Sequence, residues 1–224
     1  MAAQVMVVGA LKGGVGKSRF SVLSALYLAS LGYRVHLIDA DTISQTTHKW
    51  RVRVEKAAAA AEKRGELVRP WPEAVTISRH PFDDIDDHIG EKVETVDHLI
   101  ADIGGGLRSV LEAALRRAHR LVVPIGADPS ETEQMPATWR SAKAAARDSV
   151  VGGFEPFVVL SRTDHGTSLP REARAELEDE YPLCDTELRK NVLYQRAYGT
   201  LPTDFLHVPA VLEEIGLLEK GRAA

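Results

Sequence analysis

The sequence predicts a three-layer α/β fold, in which a mostly parallel, twisted central sheet is flanked by helices on both faces. Short apolar runs alternate with helical patterns along most of the chain. The first strand, helix and strand also follow one another within about 40 residues, the spacing of a βαβ unit. With 224 residues, 44% of them hydrophobic and 27% charged, the chain can bury one core, so we expect a single domain over 1–224.

The order of elements follows from these patterns. The first strand is predicted at 5–8, a helix at 17–31 that ends before Gly32, and a second strand at 34–38. Further strands are predicted at 75–78, 97–103, 120–126 and 155–161. Further helices are predicted at 107–118, 131–147, 170–180, 189–198 and 209–219.

Two segments between these elements have unusual composition. The segment 48–70 is rich in Ala, Lys, Arg and Glu, which predicts an exposed helix. It is either a surface excursion between two strands or a partner-docking element. The acidic run 83–88 lacks the glycine and closing Glu of a calcium loop, so it is interpreted as the solvated start of a helix.

Composition excludes several classes of protein. There are 28 Lys and Arg against 32 Asp and Glu, so any nucleic-acid binding must come from a local basic patch. One cysteine, Cys184, excludes a disulfide framework, an all-cysteine zinc site and an iron–sulfur cluster held within one chain. There is neither an apolar run long enough to span a bilayer nor a secretory signal pattern, so we expect a cytoplasmic protein.

The segment 11–18, Leu-Lys-Gly-Gly-Val-Gly-Lys-Ser, lies between the first strand and the first helix. Its glycines let backbone N–H groups and the helix N-terminus converge on phosphate oxygens. Lys17 is expected to bridge the terminal phosphates and Ser18 to bind Mg²⁺. Leu11 stands where the standard loop has Gly, and a second lysine, Lys12, opens the loop. The predicted nucleotide-binding residues here are Lys12, Gly13, Gly14, Val15, Gly16, Lys17, Ser18 and Arg19.

Because of this loop the chain resembles the deviant Walker A ATPases, which include the ParA partition proteins, MinD and the nitrogenase iron protein. The resemblance covers nearly the whole chain, and it is greatest to the small, ParF-like plasmid partition proteins. It implies a P-loop NTPase fold, slow hydrolysis of ATP, and ATP and Mg²⁺ as cofactors. It also implies that Lys12 reaches across an ATP-bound homodimer to the nucleotide of the other subunit.

Three acidic residues lie at the carboxyl ends of predicted strands. Because the carboxyl ends of parallel strands meet at one edge of a sheet, Asp39, Asp41 and Asp102 should all face the phosphates. The resemblance assigns Asp41 to the attacking water and Asp39 to the neighbourhood of the metal. Asp39 and Asp41 could instead cap the following helix. Asp102 is the second metal acid, and the glycines 104–106 after it allow close approach to the γ-phosphate.

The expected base pocket lies after the strand 155–161. By the same resemblance, Arg162 could stack on the adenine face, or it could be an ordinary surface arginine. Backbone around 186–188 would form the opposite wall of this pocket.

The predicted helix 189–198 carries three cations. In the relatives it faces non-specific DNA, so Arg189, Lys190 and Arg196 are candidate DNA-binding residues, although a solvated helix face would have the same composition. Arg189 and Arg196 would share one face. The polar face of the helix 209–219 is acidic, which favours packing against the sheet over stable membrane association.

The leading hypothesis is a nucleoid-associated ATPase that partitions DNA. An ATP-bound homodimer would bind non-specific DNA, and a centromere-binding adaptor, ParB-like or of the small ribbon-helix-helix type, would stimulate hydrolysis. One alternative is a ParA-like ATPase that positions another cargo, such as a conjugation complex, a microcompartment or chemoreceptors. Another is a metabolic P-loop ligase, such as dethiobiotin synthetase. Nitrogenase-type electron transfer is excluded, because each subunit must supply two cluster cysteines.

Overall fold

The computed structural model describes residues 3–219, which contain a seven-stranded parallel sheet with the order β3-β2-β4-β1-β5-β6-β7. The strands are β1 (Gln4–Val8), β2 (Val35–Ala40), β3 (Val75–Arg79), β4 (His98–Ile103), β5 (Arg120–Ile125), β6 (Glu155–Thr163) and β7 (Leu188–Arg189). The predicted parallel sheet is confirmed. The single-domain expectation for 1–224 extends beyond the described residues.

Nine α-helices accompany the sheet within the described residues, together with the short 3-10 helices Val93–Thr95 and Ala146–Asp148. The α-helices are α1 (Lys17–Ser30), α2 (Thr46–Glu62), α3 (Ile85–Lys92), α4 (Arg108–Leu115), α5 (Pro129–Thr132), α6 (Met135–Ala145), α7 (Leu169–Leu177), α8 (Val192–Arg196) and α9 (Val208–Glu214). None of those in 3–219 is both long and apolar enough to cross a membrane.

Apolar side chains fill both faces of the sheet, as expected for strands that are buried on both sides. On one face, Ile38 and Leu99 pack with side chains of α3, α4 and α6. On the other face, Met6 and Ile100 pack with side chains of α1, α2 and α9. The predicted packing of the C-terminal helix is confirmed, because Val208, Val211 and Leu212 of α9 are fully buried in this second layer.

The strand order brings three strand ends to one place. β4 lies between β1 and β2, so Asp102 is the register partner of both Val8 and Asp39. The loop after β1 and the turns after β2 and β4 therefore meet at the carboxyl edge of the sheet. Ligands of doubly wound α/β folds bind at this edge.

The predicted helices differ from the structure in their bounds, and three of them differ most. The helix predicted at 209–219 is α9, which ends at Glu214. The helix predicted at 131–147 is divided into α5 and α6, because Pro136 lies in the first turn of α6 and has no N–H to continue a preceding helix. The exposed helix predicted at 48–70 is α2, which ends at Glu62. Residues 63–70 are exposed and contain no helix.

The helix predicted at 189–198 is wrong in its first part. Leu188–Arg189 pairs with β6 as the edge strand β7, and Asn191 caps α8 by accepting a 2.8 Å hydrogen bond from the Leu193 N–H. Arg189 and Lys190 therefore precede the helix, and of the three predicted DNA-binding cations Arg196 alone lies on it. The edge of β6 supplies backbone partners that a helical pattern in the sequence cannot reveal.

Candidate nucleotide-binding site

The loop between β1 and α1 presents unsatisfied backbone donors at the carboxyl edge of the sheet. Gly16 is the N-cap of α1 with φ of 96°, a conformation that favours glycine, and no side chain caps the helix start. The first N–H groups of α1 and its positive dipole end therefore remain available to an anion. The loop is fixed to β6, because Ser161 Oγ donates a 2.6 Å hydrogen bond to the Val15 carbonyl.

Lys17, the first residue of α1, lies inside this loop and is only 6% exposed. Its Nζ donates a 2.8 Å hydrogen bond to the Lys12 carbonyl. Burial lowers the pKa of Lys17, while the nearby carboxylates of Asp102 and Asp41 act in the opposite direction. A buried ammonium group with one protein partner can bind phosphate oxygens without first leaving another ion pair.

A cleft of about 590 Å³ opens over the loop. It is lined by Leu11, Gly13, Gly14, Gly16, Lys17, Ser18, Arg19, Asp41, Thr42, Ile43, Ser44, Thr46, Gly105, Gly106, Leu107 and Arg162. The side chain of Lys12 is not part of this lining, although both of its neighbours are.

The glycines after β4 form the opposite wall of the cleft. A Cβ on Gly105 would lie 2.9 Å from Gly13 Cα, so only glycine fits at this approach of two backbones. The Gly106 N–H donates a 2.9 Å hydrogen bond to the Leu11 carbonyl. The turn after β4 therefore contacts the phosphate loop directly.

Asp102 lies at the end of β4 and is 1% exposed. Its Oδ2 accepts a 2.7 Å hydrogen bond from the Thr47 hydroxyl, and its Oδ1 accepts one of 3.4 Å from the Ser21 hydroxyl. Burial raises the pKa of Asp102 to about 6, and the nearby Ser18 and Thr47 hydroxyls, which stabilise the ionised carboxylate, oppose that rise. Ser18 and Asp102, two of the predicted metal-binding residues, therefore lie close together.

Asp39, the third predicted metal-binding residue, is also 1% exposed. Its Oδ2 accepts a 2.8 Å hydrogen bond from the His48 N–H in the first turn of α2, and its Oδ1 accepts one of 3.2 Å from the Asp41 N–H. Burial raises its pKa. Asp39 thus satisfies a backbone donor at the start of α2, the alternative role considered from the sequence.

Asp41 lies at the rim of the cleft and has partners of its own. It accepts hydrogen bonds from the backbone N–H groups of Ile43 at 2.8 Å and Ser44 at 2.9 Å, and from the Ser44 hydroxyl. Burial acts to raise its pKa, but these hydrogen bonds and the Lys17 charge outweigh burial and lower it. Asp41 is therefore held as an anion that faces the cleft.

These residues fit a divalent cation that is completed by a ligand. Within 3–219, no cluster of three or more His, Cys, Asp and Glu side chains is arranged to hold a metal ion. Asp39, Asp102 and the Ser18 hydroxyl form a smaller donor set. Mg²⁺ is bound in this way in nucleotide sites, by one or two carboxylates together with substrate phosphates.

A second cavity, of about 560 Å³, adjoins the phosphate cleft, and Gly16, Arg19 and Arg162 line both. Its volume is in the range of small-molecule pockets. Leu188 lines it, whereas Thr186 lies outside the lining and donates its backbone N–H to Glu214 at 3.0 Å. Of the backbone wall predicted at 186–188, the structure thus places its last residue at the cavity.

Arg162 has a φ of 57° and forms an ion pair with Glu131. Glu131 in turn accepts a 2.8 Å hydrogen bond from the Gly126 N–H. The Arg162 side chain is therefore held beside the second cavity by Glu131 of α5.

The three predicted DNA-binding cations have different surroundings. Arg189 lines the second cavity and is exposed, and Lys190 forms a 3.4 Å ion pair with Asp164. Arg196 is exposed at the end of α8.

Sequence analysis did not identify Thr47 or Glu131. Both act through neighbours, Thr47 on Asp102 and Glu131 on Arg162, and both partners are distant in sequence. The only signal that could have indicated Thr47 is its place in the first turn of a helix directly after Asp39 and Asp41.

The parallel sheet, the glycine loop between β1 and α1 and the two strand-end carboxylates define a P-loop NTPase. A family model, that of the ATPase MipZ, matches residues 4–129, which include the phosphate loop and all three acidic residues. The chain belongs to the MipZ family of ATPases. This result confirms the resemblance to the deviant Walker A ATPases of the ParA and MinD type.

Solved structures share the fold at low sequence identity. A Borrelia burgdorferi plasmid partition protein bound to AMPPNP has a TM-score of 0.69 and 14% identity, with 96% of this chain and 98% of that one covered. The Pyrococcus horikoshii septum site-determining protein MinD with Mg-ADP has a TM-score of 0.68 and 15% identity, with 97% of this chain and 96% of that one covered. Cobyrinic acid a,c-diamide synthase from Mycobacterium smegmatis, with ADP and magnesium, has a TM-score of 0.64 and 17% identity, with 94% of both chains covered. No curated protein gives a significant match.

Proposed function

We propose that this ATPase partitions DNA by forming an ATP-bound homodimer on non-specific duplex DNA, and that an adaptor bound at a centromere stimulates hydrolysis. The observation that carries the proposal is the position of Lys12. Its backbone carbonyl holds Lys17, but its side chain is outside the lining of the cleft of its own chain. A second lysine that lies outside its own cleft, with its charge near Asp128, suits the nucleotide of a facing subunit.

The residues around the cleft have complementary roles in this proposal. Lys17 and the N–H groups of α1 bind the phosphates, and Asp41 orients the attacking water. Ser18, Asp39 and Asp102 would hold magnesium, which would supply charge neutralisation at the phosphates. Lys12 of each subunit adds positive charge to the nucleotide of the other, which makes dimerisation depend on ATP.

Non-specific DNA binding would come from Arg189, Lys190 and Arg196, although these residues do not share one helix. A dimer would double the number of these cations. Contacts to phosphates alone give weak, salt-dependent binding without sequence preference, which suits a nucleoid-associated protein.

Variants of the two lysines test the proposal. With ATP and Mg²⁺, the unmodified chain should change from monomer to dimer in sedimentation velocity. Lys12→Ala should bind ATP with similar affinity in calorimetry and remain monomeric, whereas Lys17→Ala should bind no ATP. Equal loss of ATP affinity in both variants would place Lys12 at its own nucleotide and contradict the dimer. DNA binding measured with ATP, with ADP and without nucleotide then shows whether the dimer is the DNA-binding form.

A metabolic P-loop ligase is the second candidate. It is favoured by the likeness to cobyrinic acid a,c-diamide synthase and by the cavity of about 560 Å³ beside the phosphate cleft. This function predicts ATP turnover that depends on a small carboxylate and is unaffected by DNA.

A further inference from the structure

The long helix α2 carries a row of cations along one exposed face. Lys49, Arg53, Lys56 and Lys63 are all exposed, and Lys63 continues the helical conformation as the C-cap, with φ of −61° and ψ of −23°. At 3.6 residues per turn, these four side chains lie within about 80° of one another around the helix axis. With a rise of 1.5 Å per residue, the row is about 21 Å long.

The other faces of α2 have different chemistry. The buried residues Thr47, Trp50, Val54 and Ala61 lie roughly 130° from the row. Glu55 and Glu62 also lie roughly 130° from the row, but in the opposite direction around the helix axis from the buried residues. Glu55 pairs there with Arg51 at 2.7 Å. The helix thus has a core face, an acidic face and a separate cationic face.

The members of the cationic row differ from the other cations near α2 in their partners. Among residues 3–219, none of its four members forms an ion pair: the Lys49 Nζ donates to the Ser44 carbonyl at 2.7 Å, and the Arg53 guanidinium lies 4.6 Å from the centre of the Tyr198 ring. By contrast, Arg51 and Arg64 are paired with Glu55 and Glu66. In a chain with a net charge of −4, four unpaired cations in one row are a strong local concentration of positive charge.

The row is continuous with the segment that carries Arg196. Arg53 covers Tyr198, which lies two residues after Arg196, and the Trp50 Nε1–H donates a 2.8 Å hydrogen bond to the Thr200 carbonyl. Helix α2 is therefore anchored on the chain that follows α8, and its cationic face extends the surface on which Arg196 lies.

We infer that the α2 row, Lys49, Arg53, Lys56 and Lys63, is a contact surface for the phosphate backbone of duplex DNA. This inference rests on the proposed DNA-binding function and adds a surface to it. Phosphates follow one another at about 3.4 Å of axial rise on each strand, so a row of about 21 Å spans roughly six of them. The only uncharged side chain within the row is Ala60.

The composition of the row argues against other partners. A helix that lies on a membrane needs large apolar side chains beside its cations, whereas the exposed apolar residues of α2 next to this row are Ala57, Ala59 and Ala60. The large exposed residues Leu67 and Val68 lie beyond the end of the helix. A protein partner would be expected to bury aromatic or large aliphatic side chains at the centre of its interface, and the row offers none.

A pair of matched double variants tests this inference in the full-length chain. Lys56→Gln/Lys63→Gln removes two members of the row, and Arg51→Gln/Arg64→Gln removes the same charge from paired residues outside the row. Glutamine is a good helix former, so both variants should fold, which circular dichroism can check. Binding to a fluorescein-labelled 24-base-pair duplex of arbitrary sequence is measured by anisotropy with a non-hydrolysable ATP analogue and Mg²⁺, across a range of salt concentrations.

We expect the Lys56→Gln/Lys63→Gln variant to bind roughly tenfold more weakly near 0.1 M salt. The slope of log K against log salt should fall in magnitude by about 2, because two phosphate contacts are lost. The Arg51→Gln/Arg64→Gln variant should differ from the unmodified chain by less than about twofold. Equal weakening in both variants would mean that net charge is responsible, and would overturn the inference.

Further arms separate this inference from the proposed function. If the unmodified chain binds the duplex and only Arg189→Gln/Lys190→Gln/Arg196→Gln weakens binding, the inference fails and the proposed function stands. If the unmodified chain does not bind the duplex in any nucleotide state, both fail. If Lys56→Gln/Lys63→Gln reduces binding to phosphatidylglycerol vesicles or to polyglutamate but leaves duplex binding unchanged, the row serves another partner and the inference is wrong.

Discussion

The Thr47 hydroxyl donates a 2.7 Å hydrogen bond to Asp102 Oδ2, which joins the first turn of α2 to the carboxylate at the end of β4. Both residues are almost completely buried. The cationic helix α2 is thus connected to the proposed metal-binding carboxylate through one side-chain contact. When a buried acceptor loses its donor, the free energy of its desolvation is no longer offset by a hydrogen bond, and the folded state is destabilised.

Replacement of Thr47 should therefore reduce stability. We expect Thr47→Val to lower the free energy of unfolding by about 1–3 kcal/mol, because valine fills the same space but leaves Asp102 without this donor. Urea denaturation monitored by circular dichroism measures the change. Thr47→Ser is the matched control, because it keeps the hydroxyl and removes only a methyl group. A larger loss in the serine variant than in the valine variant would show that packing matters more than the hydrogen bond.

Asp41 should affect turnover more than nucleotide binding. Its carboxylate is fixed by Ile43 and Ser44 at the rim of the cleft. We expect Asp41→Ala to slow ATP hydrolysis by roughly 10²-fold or more, the usual effect of removing a group that positions or deprotonates a nucleophile. ATP affinity should change by less than about threefold.

Phosphate release and equilibrium binding of ATP measure the two quantities for Asp41→Ala. The control is Ser44→Ala, which removes one hydrogen bond to Asp41 but leaves the charge of Asp41 in place. The turnover of Ser44→Ala should therefore lie between that of the unmodified chain and that of Asp41→Ala. Unchanged turnover in Asp41→Ala would contradict the assigned role.

The sequence was sufficient for the parts of the molecule that depend on local pattern. Buried strands of apolar residues and a glycine loop before a helix can be identified without knowledge of distant contacts, so the sheet and the loop at Lys17 were predictable. The conformation of the segment that contains Arg189 and Lys190 could not be predicted in this way. Arg189 and Lys190 follow a helical pattern, but their backbone conformation is decided by the unpaired edge of β6, which lies more than 20 residues away in sequence.

The cationic face of α2 also depends on contacts that are distant in sequence and that a local pattern does not reveal. Its composition indicated an exposed helix, but the separation of Lys56 and Lys63 from the paired Arg51 depends on which face Trp50 buries. That choice is made by contacts with Tyr198 and Thr200, about 150 residues later.

Two buried histidines should make stability depend on pH. His36 Nδ1 and Nε2 lie 2.7 and 2.8 Å from the Thr76 and Ser78 hydroxyls. Burial lowers the pKa of His36 to about 4, with smaller effects from the neighbouring Lys92 and His88. His98 is also buried, and its pKa is lowered to about 4 by burial, with Asp97 opposing and Arg120 adding to the shift.

Because the pKa of an unfolded histidine is about 6.5, the unfolded chain binds these protons first as the pH falls. The folded state should therefore lose stability between about pH 6.5 and 4, by up to roughly 2 kcal/mol per histidine at pH 5. Asp102 acts with the opposite sign, because its pKa of about 6 lies above its unfolded value and its protonation stabilises the fold in this range.

Comparison of variants separates the two effects. Urea denaturation at pH 7 and pH 5 should show a smaller decrease in His36→Gln than in the unmodified chain, because glutamine does not titrate and can hydrogen-bond to Thr76 and Ser78. The double variant His36→Gln/His98→Gln should show a still smaller decrease, or an increase from Asp102. The same decrease in all three proteins would mean that neither histidine is responsible.

Arg162 can be assigned to the nucleotide base or to the surface by comparing two nucleotides. Its side chain is held by Glu131 at the junction of the phosphate cleft and the second cavity. A group that contacts the base makes the same contact in ATP and ADP, so its removal lowers the affinity for both nucleotides by the same factor. Removal of a group that contacts the γ-phosphate lowers the affinity for ATP alone. We expect Arg162→Ala to reduce the affinity for ATP and ADP equally, by about three- to tenfold, as loss of a cation–π contact would. Glu131→Gln, which removes the ion pair but leaves an amide oxygen to accept a hydrogen bond from the guanidinium, should have a smaller effect of the same kind. Calorimetry with both nucleotides decides the question: unchanged affinities would make Arg162 an ordinary surface residue, and a loss confined to ATP would place it at the γ-phosphate.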